Sequence, residues 1–436
     1  MTQPLDLAGI GIGPFNLSLA ALLDPIQDQT VRFFDRRAEF AWHPGMMLAN
    51  TTLQTSWLKD LVAAADPTSR YSFLAYLVAK KRLYRFISAE FSAILRIEFA
   101  DYMAWVAGQL KSLAFNESVQ SVAFGSDNLF HLELDSGPVR ARNLAIATGP
   151  VAYTPDWAGG MLGPECLHSG RYLLDTPPLA GRHVLVVGGG QSGAEIVLSL
   201  LTESPARAPS GITWISRRPT FAPIDEAPFT NEFFMPGYVQ AFLTLPAHRK
   251  ERIVASQKLA SDGISHSTLT ALYQRLYELV HLEGRTDYAE LLPFREATGL
   301  ERAETGYRLT LRNGFDGGIE AVKADVVVLA TGYQVRLPTY LDGLRGRLHL
   351  DADERFVMGD DYSVVWDGPA DRRIFAQNVG RQSFGIADPQ LSLMAWRSAT
   401  IVNALVERTL YDVEGDVSLL RWTSANPPPE GFKLAM

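Results

Sequence analysis

Two stretches of this 436-residue chain carry residues spaced to hold phosphate. The first is Gly11-Ile12-Gly13-Pro14-Phe15-Asn16, between the apolar run "LDLAGI" and "NLSLAALL", whose apolar residues recur at helical spacing. The second, Gly188-Gly189-Gly190-Gln191-Ser192-Gly193, completes G-x-G-x-x-G between "HVLVV" and "AEIVLSLL". Where a strand enters a helix through such a turn, free backbone N–H groups and the positive end of the helix dipole face a pyrophosphate. The first glycine makes the tight turn, the second lets the ligand approach the backbone, and the third packs helix against strand. Asn16 takes the third place in the first turn, a departure from that pattern. For the first stretch alone, a turn without ligand is the competing reading.

The strand after each turn ends in a different charge. "VRFFD" ends in Asp35, 24 residues after Gly11 and suited to a ribose hydroxyl. "ITWIS" runs into Arg217-Arg218, where a guanidinium can grip a 2′-phosphate bidentately, which favours NADP over NAD. A solvated strand end is the alternative for those arginines. First glycines 177 residues apart (188 minus 11) call for two ligands, FAD near the N-terminus and NADPH in an inserted unit. "LAIATGP" and "DVVVLATGY" resemble the strand ends at which two-dinucleotide-domain flavoproteins pass between their nucleotide domains.

The elements that must position these residues follow from the pattern of apolar positions. Residues 89 to 113 read as helical, and 118 to 147 as a small antiparallel excursion closed by a buried parallel strand. "GPVAYTPDWAGGMLGPE" reads as a linker. Between 226 and 290 the chain becomes mostly helical, with Leu269, Leu272, Tyr273, Leu276, Leu279 and Val280 forming an apolar stripe. The expected fold is α/β, with two Rossmann-like dinucleotide-binding domains and a small helical substrate-binding subdomain. Residues 1–168 with 326–436 make the FAD-binding domain, 169–225 with 291–325 the NADPH-binding domain, and 226–290 the helical subdomain.

Composition narrows the function classes. A net charge of −8, with 20% charged residues and no long block of one sign, argues against a nucleic-acid surface. No apolar run approaches the roughly 20 residues of a bilayer span, so no membrane insertion is expected. The N-terminus lacks a basic segment ahead of its first strand, so the reading is a cytoplasmic enzyme without a secretory signal. Cys166 is the only cysteine, which excludes an internal disulfide and the C-x-x-C pair of a thiol–disulfide reductase. No metal site is expected.

Several stretches carry a closer likeness. "GIGPFNLSLAAL", "FFDRRAEFAWHPGMML", "LQTSWLKDLV", "DPTSRYSFLAYL", "FTNEFF", "DVVVLATGY" and "QLSLMAWR", in that order along nearly the whole chain, resemble the microbial N-hydroxylating flavin monooxygenases. That family comprises the lysine N6-, ornithine N5- and diamine N-hydroxylases of siderophore biosynthesis. Asn16 fits it, because its flavin turn often lacks the third glycine. The resemblance implies FAD- and NADPH-dependent hydroxylation, through a C4a-hydroperoxyflavin formed with O2, of a terminal primary amine for hydroxamate siderophores. The amine would be L-lysine or a short diamine, cadaverine or putrescine. It also implies a homo-oligomer, often a tetramer.

Roles at matching positions follow from the same resemblance. With Gly11, Gly13 and Asp35, FAD would meet Pro14, Trp42, His43, Gln54 and Val119, and on the C-terminal side Pro389, Gln390 and Leu391. NADP would be held by Gly188, Gly190, Gln191, Ser192, Gly193 and Arg217. Asn231 would contact substrate and the nicotinamide end of NADP, acting in catalysis by positioning the amine. Lys59 would bind an amino-acid carboxylate, and Ser392 would lie near the substrate. The structural alternatives are a core Trp42, a Lys59 paired with Asp60, and an Asn231 that caps a helix. An unneutralised Lys59 would favour L-lysine over a diamine. A second enzyme reading is a flavin monooxygenase acting on sulfur, tertiary amines or ketones, because "LGPECLHSGRY" keeps His168, Ser169 and Tyr172 of that group's signature. A reading of another class is a non-catalytic FAD/NADPH-binding scaffold.

Overall fold

The computed structural model describes residues 3–425. The first part of the chain supplies β1 (Leu5–Ile10), β2 (Val31–Asp35), β3 (Leu113–Phe115), β4 (Val119–Phe124), β5 (Phe130–Leu134) and β6 (Gly137–Ile146). A short β7 (Val151–Ala152) precedes β8 (Cys166–His168), β9 (His183–Val187), β10 (Gly211–Ile215) and β11 (Ala289–Leu292). Then come β12 (Arg295–Arg302), β13 (Tyr307–Asn313), β14 (Ile319–Ala324), β15 (Val326–Leu329), β16 (Tyr333–Gln334) and β17 (Ile374–Ala376).

These strands build two Rossmann-like units on one plan. In the first sheet the order is β3-β2-β1-β6-β5-β4, with β17 also on β6. In the second it is β11-β10-β9-β15-β8. Each unit therefore runs third, second, first, and then a later strand on the free edge of the first. That later strand is β6 in one unit and β15 in the other, and both are parallel to their neighbour. Each leads directly into an Ala-Thr-Gly segment, at 147–149 and 330–332. The shared topology explains why the two segments recur.

Strand residues alternate between two buried faces, as the period of two requires. On the second sheet Val184 and Val186 face a core with the helix Gln191–Leu201, while Leu185 and Val187 face one with the three-stranded sheet β12-β13-β14. On the first sheet, Leu7 and Phe33 pack toward the helices Pro14–Leu23, Arg96–Ala107 and Met394–Val406. The chain crosses between units twice, and the crossings pair as β7 with β16.

Four expectations shift. The helical reading of 89–113 contracts to Arg96–Ala107, because Leu53 N–H bonds Ile94 O and draws the preceding residues into extended chain. The second sheet takes in Cys166–His168 and Val326–Leu329, so divisions after 168 and before 326 leave two of its strands in the FAD-binding domain. Residues 226–290 do not form a unit with a core of their own. Phe234, Tyr238, Val239 and Phe242 join the core of the first unit, whereas Ile264, Leu272 and Leu279 join that of the second. The segment bridges the units. Tyr273, placed in the apolar stripe, is 77% exposed on the outer side of the helix His266–Tyr277.

Candidate functional site

Both glycine turns open onto one cavity of about 2480 Å³ between the units. Gly11 has φ +86 and Gly188 φ +130, the left-handed region that glycine tolerates. A Cβ there would sit 2.8 Å from Ala147 O in the first turn and 2.1 Å from Ala330 O in the second. The second glycines differ in kind. A Cβ at Gly190 would meet nothing within 4 Å, and one at Gly13 only Ala147 O at 3.8 Å. The protein's own packing therefore does not demand glycine at Gly13 or Gly190. Both face the cavity as extended N-caps of the helices Pro14–Leu23 and Gln191–Leu201, so a bare backbone serves whatever approaches from the cavity.

The flavin-side expectations converge on this wall. Gly11, Gly13, Pro14, Asp35, Trp42 and His43 line the cavity, as do Gln54, Val119, Pro389, Gln390 and Leu391. Trp42 is not a core residue alone. Its indole packs edge-on against Phe99 while part of the ring reaches the cavity. His43 has a left-handed backbone and presents its ring to the cavity. Desolvation by the surrounding walls, with the Arg96 charge adding to it, pushes its pKa down to about 4, so it is a neutral imidazole.

Asp35 is more committed than its expected ribose contact requires. Oδ2 accepts from Ile12 N at 2.7 Å and Arg37 Nη2 at 2.6 Å, and Oδ1 accepts from Arg37 N and Nε, both at 2.9 Å. These four bonds fill the acceptor sites of a carboxylate. Burial would raise its pKa, but the Arg37 and Ile12 hydrogen bonds outweigh burial and hold it below the usual value. Here Asp35 braces the turn, and a ribose contact needs Arg37 to give way.

On the opposite wall stand Gly188, Gly190, Gln191, Ser192 and Arg217. Gly193 lies behind it: a Cβ there would strike Gly188 O at 2.2 Å, so this glycine serves packing. Arg217 is exposed to the cavity and does not stand alone, because Arg218, Lys258 and Arg381 line the same region. Burial, and then the neighbouring charge of Arg217, pushes the Lys258 pKa down. Clustered cations of this kind suit a phosphate. Sequence reasoning missed Lys258 and Arg381, which come from distant helices and carry no motif.

Lys59, Asn231 and Ser392 do not line the cavity wall. Lys59 is half-buried, and desolvation lowers its pKa. Its neighbour is not its counterion. Asp60 instead accepts from Val62 N at 2.9 Å, Ala63 N at 2.7 Å and Phe73 N at 2.6 Å, which corrects the pairing considered above. Asn231 lies inside the short helix Thr230–Phe234 rather than capping it, and donates Nδ2–H to Glu226 O at 3.3 Å. Ser392 is buried with no hydrogen-bond partner for Oγ among the described residues. His168 is spent on the second crossing. Its Nε2 lies 2.9 Å from Gly332 O and its Nδ1 accepts from Gly170 N at 3.1 Å.

Comparison with known proteins agrees with this geometry. Residues 3–335 match the family model described as L-lysine 6-monooxygenase/L-ornithine 5-monooxygenase. The L-lysine N6-monooxygenase of Escherichia coli is 39% identical over 97% of this chain and 100% of its own length. The putrescine N-hydroxylase of Acinetobacter baumannii is 33% identical over 94% of this chain and 91% of its own. Among solved structures, the FAD-bound cadaverine monooxygenase DfoA of Erwinia amylovora has a TM-score of 0.91 and 31% identity, covering 98% of this chain and all of that one. The ornithine N-hydroxylase KtzI of Kutzneria, solved with reduced FAD, NADP+ and L-ornithine, has a TM-score of 0.86 and 29% identity, over 93% and 99% of the two chains. With these matches, the two Rossmann-like units and their shared cavity are those of a flavin-dependent monooxygenase. The chain belongs to the lysine/ornithine N-monooxygenase family.

Proposed function

We propose that this chain hydroxylates the terminal primary amine of L-lysine, using FAD, NADPH and O2, in the supply of a hydroxamate for siderophore assembly. The observation that carries the cofactor assignment is the pair of second glycines, Gly13 and Gly190, that face one cavity and that no internal packing requires. The first unit with Gly13 would take FAD, and the second with Gly190 and Arg217 would take NADPH. When bound, the flavin supplies oxygen activation, and the nicotinamide supplies the hydride.

The protein's residues would bind and orient. The helix N-termini behind Gly13 and Gly190 face the two pyrophosphates. Arg217, with Lys258 and Arg381 near it, offers charge for the 2′-phosphate. An alkylammonium has a pKa near ~10.4, so it lacks the lone pair that attack needs, and freeing it costs roughly 4 kcal/mol at pH 7.5. A dry pocket supplies a shift of that order by desolvation. Asn231, exposed and off the cavity wall, uses its Nδ2–H on Glu226 O, so its amide oxygen would be the group that accepts from a neutral amine brought to it. No side chain is assigned as general base.

Lys59 distinguishes the amines. Among the described residues no acid neutralises its ammonium, which welcomes a carboxylate and repels the second ammonium of a diamine. The close fit to a cadaverine enzyme keeps that diamine as the second reading. A panel of L-lysine, L-ornithine, cadaverine and putrescine, scored by hydroxylamine formed, decides between them. We expect L-lysine to lead, and Lys59→Ala to raise its KM about 10- to 100-fold, the worth of a charge-assisted contact, with cadaverine turnover unharmed. Preference of the unaltered enzyme for cadaverine would overturn the L-lysine assignment. NADPH use without hydroxylamine from any primary amine would remove the N-hydroxylase reading itself. Flavin binding without amine-linked NADPH use would point to the scaffold. We further propose a cytoplasmic homotetramer, measurable by light scattering. No helix among the described residues is long and apolar enough to cross a membrane.

A further inference from the structure

We propose that the ion pair Arg96–Glu195 is a positioning clamp that locks the second glycine turn onto the flavin-side wall, so that NADP+ is retained until the amine has been oxidised. This rests on the function proposed above and gives a role to Arg96 and Glu195, which none of the roles above includes.

Arg96 opens the helix Arg96–Ala107 and is held at its base. Its N–H donates to Thr51 O at 2.8 Å, and the next residues pair as Leu53 N to Ile94 O at 2.9 Å, so Arg96 is tied to the strip that carries Gln54. The guanidinium donates to Met46 O at 3.2 Å, in the short turn just after His43. It then reaches across the units in a fork, with Nη1 to Glu195 Oε2 at 3.1 Å and Nη2 to Oε1 at 2.6 Å. Both side chains are enclosed, at 14% and 4% exposure.

Glu195 lies two residues past Gly193 on the helix that the second turn opens. Its Oε1 also accepts from Gln191 Nε2 at 2.9 Å. Gln191 lines the cavity, and its Oε1 accepts from Ser265 N at 2.7 Å and from Gln54 Nε2 at 3.4 Å. Arg96, Glu195, Gln191 and Gln54 thus form one hydrogen-bonded chain between the strip at 51–54 and the second nucleotide-binding helix, beside Met46 and Leu48, which pack into the second unit's core. Such a forked pair specifies direction as well as distance, which an apolar contact of equal area does not. The first residues of the second nucleotide-binding helix are therefore referenced to the wall that carries His43 and Gln54.

The chemical consequence concerns where oxygen goes. In the coupled reaction NADPH, H+, O2 and R–NH2 give NADP+, R–NHOH and H2O. If NADP+ leaves early, NADPH, H+ and O2 give only NADP+ and H2O2. A loosened clamp should favour the second balance without slowing hydride delivery at saturation.

The test compares Glu195→Gln and Arg96→Lys with the unaltered holoenzyme, each checked for FAD content and melting temperature. Hydroxylamine formed per NADPH consumed, the KM for NADPH, and the anaerobic rate of flavin reduction at saturating NADPH are measured. For Glu195→Gln we expect hydroxylamine per NADPH to fall to about half or less and KM to rise about tenfold, with reduction at saturation changed less than about threefold. Arg96→Lys, which keeps the charge and loses the fork, should fall in between. Unchanged coupling and KM in FAD-replete Glu195→Gln would overturn the clamp. So would losses in both variants that merely track lost FAD or lowered melting temperature, since that is a structural role. Failure of the unaltered enzyme to hydroxylate any amine would instead strike the proposed function.

Discussion

The two glycine turns solve one problem in two ways. In each, the strained first glycine leaves a carbonyl that must find a donor inside the fold. In the second turn the donor comes from the next strand, as Trp214 Nε1 bonds Gly188 O at 2.9 Å. That indole and the Gly188 carbonyl crowd the sixth position of the turn, where a Cβ would lie 3.2 Å from Trp214 Nε1 and 2.2 Å from Gly188 O. Only glycine fits. In the first turn the donor is the sixth residue itself, because Asn16 Nδ2 bonds Gly11 O at 2.8 Å. The same amide nitrogen reaches Ala145 O at 3.1 Å on β6, and Gln377 Nε2 returns a bond to Asn16 Oδ1 at 2.9 Å. What looks like a missing glycine is a buried crosslink from the helix Pro14–Leu23 to the ends of β1, β6 and β17. A motif position can thus be filled by the absence of a side chain or by the donor that this absence would otherwise require.

Exchanging the residues should break both solutions, unequally. Gly193→Asn forces a side chain against backbone, so we expect the largest effect: roughly 3–5 kcal/mol of destabilisation and lost NADPH binding, followed by thermal melting and by NADPH titration. FAD retention after that change would confirm that the units fail separately. Asn16→Gly restores the fingerprint yet strands the Gln377 amide and the carbonyls that Asn16 serves. It should cost about 2–3 kcal/mol and release FAD at lower temperature, with the KM for NADPH unaltered. A stabilised Asn16→Gly protein would refute the crosslink.

The strand ends extend the comparison at smaller cost. Both residues line the cavity, but the Asp35 carboxylate is spent on Ile12 and Arg37, while Arg217 is exposed. Arg217→Ala should therefore leave folding intact and raise the KM for NADPH about 10- to 100-fold while leaving NADH untouched. Equal losses for both nucleotides would count against a 2′-phosphate contact.

Much of the plan was legible in local pattern. Both strand–turn–helix units and the antiparallel excursion at 118–147 stand as read, because periodicity and glycine punctuation are properties of neighbouring residues. The helical stretch at 226–290 was legible as helix but not as a bridge, since nothing within it says that Phe242 and Leu272 enter different cores. Arg217 announced itself by its place after a strand. Lys258 and Arg381 had no such place, and they reach the cavity only through the packing of distant helices. Adjacency also says little about Lys59 and Asp60: the carboxylate serves backbone N–H groups, because successive side chains in a loop need not face each other.

What the sequence by itself determined is the order of the elements, the two turns and the charge at the end of each second strand, all set by residues within a few positions of one another. Tertiary structure alone decided which partner each buried polar group takes. Arg96 meets Glu195 across 99 positions, and Gln377 meets Asn16 across 361. Such pairings depend on how the two sheets are docked and on the need to satisfy every buried donor and acceptor, a condition on the whole fold that no short stretch records.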